Sequence, residues 1–157
     1  MTHPSASHYP DIGVLGEDLV TQWLRSQDWH ILHRRWRCRY GEIDIVAQSP
    51  PDSLLAFVEV KTRSRGSWDA GGLLAITPQK QAKIWQAAHH YLAEHLDLAD
   101  VPCRFDVALV YCQNLAHQYP PQTKMPAMFT SLPLQFGQTK YQLFLQEYIP
   151  AAFEALC

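Results

Sequence analysis

Asp44, Glu59 and Lys61 are the residues whose types and spacing can do chemistry. Each lies in a segment that otherwise reads as a core strand: Gly41-Glu42-Ile43-Asp44-Ile45-Val46-Ala47, and Leu54-Leu55-Ala56-Phe57-Val58-Glu59-Val60-Lys61-Thr62-Arg63. Charged groups on such strands are costly to desolvate unless they are paired or bind something. Glu59 and Lys61 are two residues apart, so they share a face of their strand, with Cβ atoms roughly 7 Å apart. Asp44 is flanked by Ile43 and Ile45, which should point the other way. If the two segments pair, the three groups converge at one end of a sheet.

An acid, a spacer, then acid–apolar–lysine is an order suited to metal-dependent phosphodiester cleavage. Carboxylates hold Mg²⁺, the Val60 carbonyl adds a ligand, and the lysine stabilises phosphate charge or orients the attacking water. The competing reading is an ion pair on adjacent strands that does no chemistry.

The elements that must position these groups follow from periodicity. Asp11 to Ser26 predicts an amphipathic helix with Ile12, Leu15, Leu19, Val20, Trp23 and Leu24 on one stripe and Asp11 as N-cap. Gly13 and Gly16 lie one turn apart, which suggests close approach by another element or a ligand. Glu17 falls at the border of the apolar stripe, from where it can reach the site. Trp29 to Arg39 alternates loosely and predicts a strand with one wet, basic face. With the two acidic strands it makes a three-strand meander, broken at Gln48-Ser49-Pro50-Pro51-Asp52-Ser53 by turn residues.

Ser64 to Ala75 reads as a loop bearing Gly66, Gly71, Gly72, Trp68 and Asp69, able to fold over a nucleic-acid strand. Thr77-Pro78 opens a second helix running to about Leu96. Lys80 and Lys83 sit near its start, where the helix dipole disfavours cations and a bound phosphate would relieve the conflict. Cys103 to Cys112 predicts a strand, with an Arg104–Asp106 ion pair. Gln113 to Lys140 holds four prolines and no period, and reads as a long excursion. Tyr141 to Tyr148 predicts a last strand, and Pro150 to Leu156 a short terminal helix. The reading is thus one domain from 11 to 157 behind a flexible N-terminus of residues 1–10, in the order α-β-β-β-α-β-β.

Composition narrows the classes. The chain is 47% hydrophobic and 18% charged, which suits a globular fold with a core. No apolar run approaches the ~20 residues of a membrane helix, and Met1 to Pro10 resembles no secretory signal, so a cytoplasmic protein is expected. Cys38, Cys103, Cys112 and Cys157 fit no zinc spacing and read as reduced thiols. Neither the His30/His33 pair nor His89, His90 and His95 has a Cys or acid placed to complete a metal site. The formal charge of −2 argues against a DNA-coating protein. Yet Arg25, Arg34, Arg35, Arg37, Arg39, Lys61, Arg63 and Arg65 gather in the segment that holds the acids, a distribution that fits a phosphate-binding face as well as a solvated one.

Four motifs occur in order: Gly13-x-x-Gly16-Glu17, Gly41-Glu42-Ile43-Asp44-Ile45-Val46, Val58-Glu59-Val60-Lys61-Thr62-Arg63, and a helix opening with Lys80 and ending in Tyr91-Leu92. Together they resemble the bacterial YraN-like family, placed by fold with archaeal Holliday-junction resolvases in the PD-(D/E)XK nuclease superfamily. The similarity covers about Gly13 to Val110, with Tyr148 to Phe153 similar to the family's C-terminal end. The resemblance implies an α/β, restriction-endonuclease-like fold, a central mixed sheet flanked by helices. It implies Asp44 and Glu59 as ligands of Mg²⁺ (or Mn²⁺), Lys61 as the catalytic lysine, and Glu17 as the helix-borne acid that completes the site. DNA, recognised by structure such as a branch, is the implied partner, with Arg63, Arg65 and Lys80 on phosphates. Cutting both strands symmetrically would need a homodimer.

Overall fold

The computed structural model describes residues 11–51, 53–64, 76–116 and 127–154. Helix α1 (Ile12–Ser26) begins where Asp11 accepts hydrogen bonds from the Gly13 and Val14 amides, as its N-cap position requires. Strands β1 (His30–Cys38), β2 (Gly41–Gln48) and β3 (Leu55–Arg63) follow as the expected antiparallel meander. Helix α2 (Pro78–Glu94) is capped by Thr77, whose hydroxyl accepts from the Lys80 amide, and carries proline in its first turn. It crosses over to β4 (Cys103–Asn114), which runs parallel to β3. Strands β5 (Phe129–Thr130), β6 (Leu134–Phe136) and β7 (Thr139–Phe153) complete a seven-stranded sheet of order β1-β2-β3-β4-β7-β5, with β6 also on β7.

The helices cover opposite faces. Leu19, Val20 and Leu24 of α1 pack on Ile45, Ala47, Ala56, Val58, Ala108 and Val110. Ile84, Ala87, Ala88 and Tyr91 of α2 pack on Val46, Leu55, Phe57 and Phe105. With both faces covered, β3 and β4 are near-continuous apolar runs, as a parallel pair at the centre of a sheet should be. The mixed sheet with a helix on each face is the α/β architecture the sequence predicts.

Three expectations need correction. Among the described residues the terminal helix is replaced by strand: β7 continues through Pro150 to Phe153. The register steps from Val107↔Ile149 to Phe105↔Phe153, so the proline sits in a bulge, where its missing N–H costs no ladder bond. The excursion from Gln113 to Lys140, of which residues 117–126 lie outside the described residues, holds strand at both ends. β4 extends to Asn114, and the two- and three-residue strands β5 and β6 pair with β7, stretches too short to show a period. Finally, Cys38 and Cys112 are free thiols but Cys103 is disulfide-bonded, a pairing that depends on spatial approach and not on sequence spacing.

β1 departs from simple alternation. Its register shifts between Ile31 and His33, and Arg35 adopts φ 52°, left-handed backbone that a side chain rarely takes. As a result adjacent Arg34 and Arg35 both reach α1. Arg34 donates to Asp18 at 2.6 Å and Arg35 to Glu17 at 2.6 Å.

Candidate active site

The β2–β3 ladder supplies the geometry by ending early. Its last pair is Ile45↔Val58, so the next amide on β3, that of Val60, has no β2 carbonyl opposite. Asp44 fills the gap: its Oδ2 accepts from Val60 N at 2.8 Å. The same bond draws the carboxyl of β2 against the acid on β3, and Asp44 and Glu59 share a side-chain hydrogen bond. Lys61 Nζ lies 3.1 Å from Glu59 Oε1, on side chains only 19% and 12% exposed.

Two carboxyls packed this closely cannot both ionise cheaply. Burial, then repulsion from Glu59, push the Asp44 carboxyl up from 3.8 to about 8, against the Val60 amide that favours the charged form. Glu17 contributes a smaller upward push, so its charge is felt at the site. Burial draws the Lys61 ammonium down, but its hydrogen bond with Lys80 and the charge of Glu59 outweigh it and hold Lys61 above its ordinary value. Lys80 shifts the other way, first through that hydrogen bond and then through burial. Lys61 therefore holds its proton while Lys80 releases one more readily.

Asp44, Glu59, Glu42, Lys80 and Lys83 line one cleft of about 240 Å³ beside the start of α2. The early lysines of α2 face this cleft, which accounts for their unfavourable place by the helix dipole. Glu17 does not line it. Its side chain, 12% exposed, is held by Arg35 at 2.6 Å, with Arg34 at 3.9 Å. Burial raises its carboxyl above the ordinary value although the hydrogen bond to Arg35 opposes it. Among the described residues no three His, Cys, Asp or Glu side chains converge on one metal position. Arg63 lies at the exposed end of β3, opposite Tyr111. Arg65 and the glycine-bearing loop with Trp68 lie outside the described residues.

The donor set suits a hard divalent cation. Asp44 and Glu59 offer carboxylate oxygens and Val60 a carbonyl, with no soft ligand in the cleft. Mg²⁺ is commonly held by one or two carboxylates, its remaining positions filled by waters and substrate phosphate. Two mutually repelling acids are the local arrangement that such a cation relieves.

Sequence reasoning missed Arg35 as the partner of Glu17, because the strand kink that aims it has no signature in residue types. It also missed a depression further along α2. Tyr40, Trp85, Gln86, His89 and His90 line about 290 Å³ there, next to the acidic cleft. Histidines otherwise serve packing: His33 Nδ1 is 2.8 Å from Tyr91 Oη, and His95 stacks on Tyr91 at 3.9 Å.

The helix-covered mixed sheet, with an acid at a splayed strand end beside an acid–x–lysine strand, defines a mixed α/β protein with a compact acidic cleft. The chain belongs to the uncharacterised protein family UPF0102, the YraN-like family its motifs resemble, whose profile matches residues 16–110. It is 46% identical to a UPF0102 protein of Trichodesmium erythraeum, over 91% of this chain and 88% of that one. It is 49% identical to one of Acaryochloris marina (90% and 89% covered). A third, of Trichormus variabilis, is 52% identical (93% and 96% covered). Among the described residues no helix is long and apolar enough to cross a membrane.

Proposed function

We propose that the protein is a divalent-metal-dependent endonuclease that hydrolyses phosphodiester bonds in DNA. The observation that carries this reading is the close-packed Asp44–Glu59 carboxyl pair lining one cleft, with Lys61 bonded to Glu59 at 3.1 Å. An ion pair built for stability alone has no use for a second acid whose charge adds to burial in raising its neighbour's pKa to about 8.

Asp44, Glu59 and the Val60 carbonyl would hold Mg²⁺ or Mn²⁺. When bound, the cation supplies Lewis-acid stabilisation of phosphoryl charge and a more acidic water. Lys61 keeps its proton and presents positive charge to the phosphoryl group beside Glu59. Lys80, Arg63 and Arg65 contact flanking phosphates; such contacts position the strand without reading its bases, so recognition is of DNA shape, such as a branch. Glu17 supports the site from α1 once Arg35 releases it. Symmetric cleavage of two strands would require a homodimer.

The Glu17–Arg35 pairing favours a second reading, a nuclease-like fold that binds nucleic acid without cutting it. One experiment separates the two. Branched, flapped and single-stranded DNA are incubated with Mg²⁺ or Mn²⁺ and wild-type, Glu59→Gln or Lys61→Ala protein. Cleavage by wild type that both variants lose, with DNA binding kept by Glu59→Gln, supports the nuclease. Binding without cleavage by any of the three supports the second reading.

A further inference from the structure

The depression beside the acidic cleft is built from rings. Trp85 and His89 lie 4.0 Å apart by ring centroid. Tyr40 meets His90 edge-on at 6.1 Å, and Trp36 lies 5.8 Å from the same His90. The Arg39 guanidinium lies over the Tyr40 ring at 4.7 Å. The Trp85 indole N–H is buried and has no acceptor among the described residues.

This surface is continuous with the candidate active site through the chain itself. Gly41 and Ile84 line the acidic cleft, while their neighbours Tyr40 and Trp85 line the depression. Along α2 the face that presents Lys80 and Lys83 to the cleft presents His90 roughly 10 Å further on. Cationic groups therefore adjoin a cluster of flat aromatic faces, one helix carrying both.

We infer that Tyr40, Trp85, His89 and His90 form a stacking platform for an unpaired nucleobase, whose flanking phosphate lies in the lysine-lined cleft. The assignment rests on the nuclease reading and adds its substrate class: DNA with a single-stranded segment at the cut. Charge complementarity selects the occupant. An apolar peptide would satisfy the rings but not Lys80, Lys83 and Arg39, whereas a nucleotide supplies both a π-face and a phosphate. Duplex DNA satisfies only the cations, because its base faces are hidden in the stack. Every base has a π-face, so the platform tolerates sequence. Arginine planes also stack on bases, and Arg39 adds one beside Tyr40.

The test reads binding without cleavage. Fluorescence anisotropy of a short labelled oligo-dT, and of a duplex of matched length, is measured in EDTA with wild type, Tyr40→Ala, Tyr40→Phe and His89→Ala. His89 is exposed and Tyr40 only half-buried, so these variants should fold, which circular dichroism checks. The expected result is tighter binding of oligo-dT than of duplex, weakened roughly tenfold by Tyr40→Ala and by His89→Ala and kept by Tyr40→Phe. Equal affinity across the four proteins, equal affinity for the two DNAs, or no binding of oligo-dT overturns the platform. Cleavage is scored separately with Glu59→Gln. Loss of the tyrosine dependence with retained Glu59-dependent cleavage removes the platform and leaves the nuclease. Tyrosine-dependent binding without cleavage removes the nuclease and leaves the platform.

Discussion

Gly16 tests whether close packing of α1 on β3 positions the site. A Cβ at this position would overlap Thr62 Oγ1 and lie 3.2 Å from Thr62 Cβ. Thr62 is half-buried on the α1 side of β3, and its buried hydroxyl oxygen has no partner among the described residues. Rotating the hydroxyl away does not remove the Cβ contact, so Gly16→Ala must shift the helix or the strand by a few tenths of an ångström. Overpacking of this kind costs about 1–3 kcal/mol, and the gain in helix propensity returns about 1 kcal/mol. The net expectation is a loss of about 1 kcal/mol, near 3 °C in Tm for a chain of this size. Thr62→Ala removes Oγ1 and Cγ2 and leaves only the 3.2 Å Cβ contact, so in that background Gly16→Ala should cost far less. The coupling energy across the double-mutant cycle should then be about 1–3 kcal/mol, measured by urea unfolding followed through tryptophan fluorescence. Because Glu17 and Lys61 are the chain neighbours of these two residues, Gly16→Ala should lower the proposed cleavage far more than its small stability cost explains, and Thr62→Ala should restore part of it. Additivity of the two substitutions within about 0.5 kcal/mol would refute the reasoning.

Three further outcomes are expected. In metal-free buffer the folded state keeps the Asp44 proton up to about pH 8, whereas the unfolded chain releases it near 3.8, so stability should fall as pH rises through that window. Asp44→Asn should flatten the slope and raise Tm at the alkaline end; parallel melting profiles for the two proteins would contradict this. Asp106 is wholly buried and accepts from Arg104, Tyr148 and the Ala151 amide, so Asp106→Ala orphans three donors and should cost about 3–5 kcal/mol in urea unfolding. A loss below about 1 kcal/mol would show that the hub is dispensable. Isothermal titration of Mg²⁺ should detect binding to wild type that the Asp44→Asn/Glu59→Gln pair loses, and at neutral pH should release close to one proton per ion, because the carboxyl must ionise to become a ligand. Binding with no proton release would place the ion elsewhere.

Most of the architecture that holds the site is legible in local chemistry. Asp11 and Thr77-Pro78 mark both helix starts because capping depends on residues adjacent in sequence. Glu59 and Lys61 share a face because strand period is two, and Asp44 joins them because the meander brings β2 alongside β3. What escaped depends on distant partners. The Pro150 segment reads as a helix until the bulge opposite Asp106 is seen to absorb it. β5 and β6 carry no period of their own and exist through β7. The pairing of Glu17 with Arg35 follows from one left-handed residue inside a strand, and the ring-lined depression gathers Tyr40 of the β1–β2 turn and residues of α2 across some fifty positions of chain.

The double duty of Asp44 explains why the site can hold two acids at all. A charged group at an interior strand end is costly, but the Val60 amide left by the truncated ladder is costly too if it finds no acceptor. One carboxylate answers both needs: Oδ2 takes the amide at 2.8 Å, and the group still reaches Glu59. The pin therefore fixes the proposed ligand, since moving Asp44 away from Glu59 would break the bond that closes β2 on β3. It also dictates how the site must be probed. Asparagine keeps an oxygen for Val60 and removes the negative charge, so Asp44→Asn isolates the electrostatics of the pair. Alanine removes both, so Asp44→Ala should add a stability cost of about 1–3 kcal/mol from the orphaned amide. A difference between these variants in unfolding, with equal loss of metal binding, is what a carboxylate that is both strand acceptor and ligand must produce.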